Sequence, residues 1–162
     1  MTYSLTGFGH VVRWIRRWLG SVALLGLLAP AAASAAALPE PDARAVRQVV
    51  EAQLGAFAAD DAERAFSYAS ASIRAQFGDA ASFMSMVRGV YPMVVRPATV
   101  LFFQAQADDG ADGAETNVRQ TVQLRDREGR FWRATYLLER QAGVGWRISA
   151  CVVVADSGKS LT

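Results

Sequence analysis

Gln120 and Tyr136 are the residues of this chain whose types and positions could do chemistry inside a protein. Both stand in segments that alternate apolar with polar side chains, and the alternation puts each on an otherwise apolar face of a sheet. A buried amide and a buried phenol can orient a polar ligand through hydrogen bonds, yet neither is a base near neutral pH. Trp132 and Trp146 share that face and can supply apolar wall. These four side chains are the ligand-pocket candidates, and no residue is assigned a catalytic or metal-ligating role.

Other reaction classes find little to work with. His10 is the single histidine and stands in the N-terminal segment, so the rest of the chain offers no Ser-His-Asp or Cys-His arrangement and no imidazole metal site. Cys151 is the single cysteine, which excludes an internal disulfide, and its neighbours in "ACVVV" point to a buried, inert thiol. The segment "DDGADG" has the outline of a calcium loop through Asp108, Asp112 and Gly113. Gly110 fills a ligand position, however, and Arg119 stands where a bidentate Glu belongs, so a polar hairpin loop is the better reading. No phosphate loop, dinucleotide fingerprint or paired-cysteine motif occurs, and no cofactor is expected.

The elements that must position the candidates follow from periodicity. In "DARAVRQVVEAQLGAFA", Val46, Val49, Val50, Leu54 and Phe57 recur at helical spacing. Asp60 or Asp61 can cap a second helix with Ala62, Ala65, Phe66 and Ala69 on one stripe. "SIRAQFG" reads as a short turn ending at Gly78. Asp79 then caps a third helix carrying Phe83, Met84 and Val87, closed by Gly89 and Tyr91-Pro92. From Val95 the period switches to two, and strands are expected over 99–107, 116–125, 130–141 and 146–155. Short turn-forming connections make them an antiparallel meander, so the fold class is α+β with the helices covering one face of a curved four-strand sheet.

Alternation divides that sheet into two faces. Val118, Gln120, Val122 and Leu124 face the helices with Trp132, Ala134, Tyr136 and Leu138, and strict parity adds Trp146, Ile148, Ala150, Val152 and Val154. The other face is mostly wet, with Arg119, Arg125, Arg133, Glu139 and Arg147, and the apolar Leu137, Cys151 and Val153 interrupt it. An apolar Cys151 on a wet face implies that this face is covered in part, and a homodimer through the outer sheet face is the expected cover.

Residues 1–35 read as a signal peptide. Arg13, Arg16 and Arg17 precede an apolar run from Trp18 to Ala29, and Ala33-Ser34-Ala35 has the small-x-small pattern of a cleavage site. The alternative is an uncleaved anchor, which would make the leader the sole membrane contact; Pro30 and a run of alanines weaken that reading. Residues 36–41 then form a linker, 42–156 the domain and 157–162 a tail. Loss of the leader removes three of the 17 basic residues and leaves 14 against 15 acidic ones, a net charge of −1. The basic excess of the whole chain therefore gives no case for nucleic-acid binding. The expected location is periplasmic or secreted.

Three helices, a Tyr-Pro segment and a strand meander ending in "GWRISACVV" resemble the cone-shaped nuclear-transport-factor-2-like superfamily, also called cystatin-like. "AFAADDAERAFSYASASIRAQFGDAASFMSMVRGVYPMV" together with "LRDREGRFWRATYLLER" is similar to a family of exported bacterial proteins known as a domain of unknown function, family 4864. That resemblance spans roughly residues 42 to 155 and brings no catalytic residues with it. The superfamily implies a pocket between concave sheet and helices, used by ketosteroid-isomerase-like enzymes and by binding domains alike, so fold leaves function open. An isomerase of that kind needs an inward carboxylate, and the expected helix-facing strand positions hold none. The sequence is accordingly read as a binding module for a small apolar ligand or a peptide, then as a dimerising assembly domain, and last as an isomerase-like enzyme.

Overall fold

The computed structural model describes residues 38–107 and 117–156. The leader, the "DDGADG" loop and the tail lie outside those residues. Helix α1 (Glu40–Ala58) starts two residues before the expected helical segment, which begins at Asp42: proline in its first turn has a pre-set φ, and Glu40 and Asp42 suit the positive end of the helix dipole. It buries Val46, Val50, Leu54 and Phe57. Asp60 turns the chain at φ +61, and Asp61 caps α2 (Ala62–Ser67) by accepting from the Arg64 backbone N–H at 3.0 Å.

The expected turn at "SIRAQFG" is instead a helix, α3 (Ala71–Phe77). Ser70 caps it by accepting from the Ile73 N–H, and Gly78 ends it at φ +77, a conformation that favours glycine. Its inward stripe is only Ile73 and Phe77, both half-buried, which is too narrow to announce itself by periodicity. Asp79 caps α4 (Ala80–Val90) through the Ser82 N–H at 2.7 Å, and Phe83, Met84 and Val87 are buried as expected. A one-turn helix, α5 (Pro92–Val95), follows.

The strands form one antiparallel sheet of five members: β1 (Thr99–Phe102), β2 (Gln106–Ala107), β3 (Asn117–Arg125), β4 (Phe131–Gln141) and β5 (Gly145–Ala155). Their order is β1-β3-β4-β5, with β2 also paired to β3. The single strand expected over 99–107 is thus broken in two at Phe103, Gln104 and Ala105. At the break the Phe103 carbonyl accepts from the Gln120 side chain at 2.8 Å, a bond that does not belong to a ladder.

Strand β5 carries the main correction to the expected faces. Leu137 pairs with Ala150 but Leu138 pairs with Ile148, so Ser149 is an extra residue, a β-bulge. Parity reverses there. Trp146 and Ile148 face the helices as expected, but beyond the bulge it is Cys151 and Val153 that stand opposite Tyr136 and Ala134. Val152 and Val154, expected inside, are 60% and 52% exposed on the outer face. Cys151 therefore needs no second subunit to cover it.

The core lies between the sheet and the helices and takes Val118, Val122, Leu124, Ala134, Leu138 and Ile148 from the strands. Segment 68–70 docks on the free edge of β5: Ile148 N–H donates to the Tyr68 carbonyl and the Ser70 N–H to the Ile148 carbonyl. Those bonds fix α3, which starts one residue later, above the bulge. Among the described residues no helix is long and apolar enough to cross a membrane.

Candidate functional site

A cavity of about 320 Å³ opens between the sheet and helices α1, α3 and α4. Its aromatic side comes from helix positions fixed by the apolar stripes. Phe83 of α4 meets Phe57 of α1 at 6.1 Å and Phe77 of α3 at 5.5 Å between ring centroids, and all three line the space. Its sheet side is Tyr136 together with the bulge segment from Ile148 to Cys151. The extra residue Ser149 sets this wall, because without it Cys151 would point to the opposite face. Gln76 on the exposed side of α3 borders the cavity and marks where it reaches solvent.

Tyr136 is 1% exposed, and its hydroxyl has no hydrogen-bond partner among the described residues. Buried polar groups in proteins are nearly always bonded, and leaving one unbonded costs about 1–3 kcal/mol. Burial raises the Tyr136 pKa well above the ordinary phenol range, and the neighbouring Cys151 sulfur adds to the rise through its charge when ionised and as a weak acceptor for the hydroxyl. Burial also pushes the Cys151 thiol up to about 12, with contact to Tyr136 opposing in part. Both groups therefore keep their protons at neutral pH. The site presents a phenol and a thiol, not a phenolate or a nucleophilic thiolate.

The other buried polar groups along this wall are engaged. Gln53 of α1 lines the cavity and donates to the Ala65 carbonyl at 3.2 Å. Ser149 Oγ donates to the Leu137 carbonyl across the bulge at 3.2 Å. Among the described residues that line the cavity, none is charged.

Of the four side chains expected to share a pocket, Tyr136 alone lines this one. Gln120 pairs directly with Tyr136 in the ladder, but its amide turns the other way and donates to the Phe103 and Thr121 carbonyls at 2.8 and 3.0 Å. Its partner is the broken edge strand. Trp132 sits at one end of the sheet, half-buried, and donates to Asp126 at 2.9 Å. Asp126 there also accepts from the Arg130 backbone N–H at 2.8 Å and from Arg130 Nε at 2.7 Å. Burial alone would raise the Asp126 pKa, but the bonds from Trp132 and Arg130 outweigh it and hold the carboxyl at about 2. Trp146 sits towards the other end, beneath the guanidinium of Arg140, and donates to Asp42 at 3.4 Å. Arg140 pairs with the same Asp42 carboxylate.

Sequence reasoning missed the helical half of the site. Ile73, Phe77, Met86 and Val87 carry no functional signature, and the helical periodicity that finds some of them says only that they are apolar. Cys151 was detectable in type but assigned to the wrong face. Among the described residues no cluster of His, Cys, Asp and Glu could hold a metal ion.

No curated protein matches this chain. Residues 39–161, which contain every element described, match the model of the family described as Domain of unknown function (DUF4864), and the chain belongs to that family.

Proposed function

We propose that the domain is an exported, non-catalytic binding module that holds a small, largely apolar molecule in the cavity between sheet and helices. The observation that carries this reading is the Tyr136 hydroxyl, buried and without an oxygen or nitrogen partner among the described residues, in the wall of an uncharged and largely apolar space. A protein that merely needed to fill this position could use Phe at no polar cost. A ligand with one hydrogen-bond acceptor supplies the missing partner once the side chains over the buried hydroxyl give way, and about 320 Å³ lies at the lower end of the ~300–1,000 Å³ of small-molecule sites. The cone-shaped, nuclear-transport-factor-2-like reading of the fold belongs to the same proposal, supported by the order of helices then meander and by a cavity between the layers. Export is supported by the basic, apolar and small-residue succession of the leader.

The isomerase-like alternative requires a base beside the ligand. The described residues of the lining include no carboxylate and no imidazole, which favours holding over turnover. A thermal-shift screen of the mature domain against sterols, apolar esters and ketones, and short peptides tests the proposal. At least one class stabilises wild type and fails to stabilise Tyr136→Phe. A flat response from all classes would remove the binding reading.

A second reading concerns the outer face, where Leu101, Phe103, Phe131, Val152 and Val154 are each more than two-fifths exposed. Exposed apolar side chains grouped on one sheet face favour the homodimer expected there. Val152→Glu then shifts the sedimentation coefficient to that of a monomer, whereas a wild type already monomeric at high concentration dismisses it.

A further inference from the structure

Resting on the proposed binding site, we infer that the cavity takes electrically neutral ligands whose acceptor is a carbonyl, and rejects the matching carboxylates. The ground is the chemistry of the whole lining. An ionised ligand brought into this space leaves water and finds no Arg, Lys or His among the described lining residues to compensate its charge. The arginines stand elsewhere. Arg88, Arg96 and Arg130 surround a separate open depression beside Trp132, where Asp60 pairs with the first two and Asp126 with the third. A buried charge without a partner is disfavoured far more than a buried dipole, and a carboxylic acid answers by binding in its protonated form.

What the wall does offer is matched to a neutral acceptor. Among the described residues the Tyr136 O–H, 1% exposed, meets no oxygen or nitrogen acceptor and has only the weakly accepting Cys151 sulfur beside it, with Gln120 and Cys151 as its ladder neighbours on either side. A carbonyl oxygen accepts one such bond without needing a counter-charge. The rest of the ligand meets Phe57, Phe77 and Phe83, which favours a ring or a flat apolar body near the carbonyl. The thiol of Cys151 lies against the same hydroxyl, so its modification reports occupancy at this spot and nowhere else in the chain.

Benzylacetone and hydrocinnamate make the test, because they have the same shape and differ in whether a methyl or an anionic oxygen flanks the carbonyl. Binding to the mature domain is titrated by calorimetry from pH 5 to pH 8, and protection of Cys151 from N-ethylmaleimide, read at pH 8 over an incubation long enough to label the free protein, gives the location. The ketone is expected to bind with an affinity independent of pH, to protect Cys151, and to lose about tenfold or more in affinity with Tyr136→Phe. Hydrocinnamate is expected to weaken about tenfold per pH unit above the ordinary carboxyl range and to trail the ketone by at least about a hundredfold near neutrality. Hydrocinnamate binding as tightly as the ketone at pH 8, with Cys151 protected, overturns the selectivity and leaves the site standing. Failure of both compounds to bind or protect overturns the site as well. Equal ketone affinity in wild type and Tyr136→Phe overturns the hydroxyl contact.

Discussion

Asp126 and Tyr136 are both buried polar side chains of the same sheet, and they are treated in opposite ways. Asp126, at the turn between β3 and β4, accepts three hydrogen bonds from Arg130 and Trp132 and is held ionised. Tyr136, mid-strand in β4, has no oxygen or nitrogen partner among the described residues and only the Cys151 sulfur beside it. Gln120, its ladder partner, belongs with Asp126: buried and bonded to two carbonyls. The contrast separates polar groups that specify the fold from a hydroxyl whose bonding capacity the fold leaves largely unused, and it marks the candidate site more sharply than residue type does.

Breaking the bonded side of the contrast has the largest effect. Asp126→Asn keeps the shape but loses the charge that pairs with Arg130 and one of the acceptors, so its melting temperature at pH 7 falls further than that of any other variant considered. The acid limb of wild type supplies a second check. The folded carboxyl titrates at about 2 against an ordinary 3.8, so its contribution is complete above about pH 4 and lost as pH falls towards 2. Wild type and Asp126→Asn therefore converge in stability across that window; parallel curves would mean that the carboxylate is not held by these bonds.

Gln120→Leu comes next. It removes the bonds to Phe103 and Thr121 and should lower the unfolding free energy by about 1–2 kcal/mol in urea denaturation. Ligand binding should persist, because Gln120 turns away from the cavity. An increase in stability would place Gln120 with Tyr136 and blur the comparison.

The bulge sharpens it from another side. Cys151, half-buried beside Tyr136 with its pKa near 12, should react slowly with a thiol reagent at pH 7, and its rate should climb steadily to pH 10 instead of levelling off near the ordinary thiol pKa. Deleting Ser149 restores strict alternation and should turn Cys151 to the exposed face, with labelling faster by about tenfold or more. Unchanged labelling in the deletion variant would show that the bulge does not set the direction of Cys151.

The same residue shows how far the sequence can be read. Long stripes such as Val46 to Phe57 and the alternation over Val118 to Leu124 leave few choices of face, and α1, α4 and β3 form close to where periodicity puts them. In "ISACVVV" both parities are apolar or small, so hydrophobic pattern exerts no preference between Cys151 and Val152 as the inward residue. One inserted serine decides it through a backbone geometry that has no compositional mark. Tyr136 was legible as a polar residue on an apolar face. Its lack of a partner was not, because partners come from other elements: the turn that engages Trp132, the broken edge that engages Gln120 and the first turn of α1 that engages Trp146.

Tyr136→Phe tests the central claim most directly, through urea denaturation of the two proteins without ligand. Removing an unbonded, buried hydroxyl should leave the domain as stable as wild type or more stable by about 1 kcal/mol, while the ligand-induced stabilisation disappears. A loss of about 1 kcal/mol or more in the Phe variant, with the ligand response intact, would mean that the hydroxyl is bonded within the folded protein and that the cavity is only a packing defect.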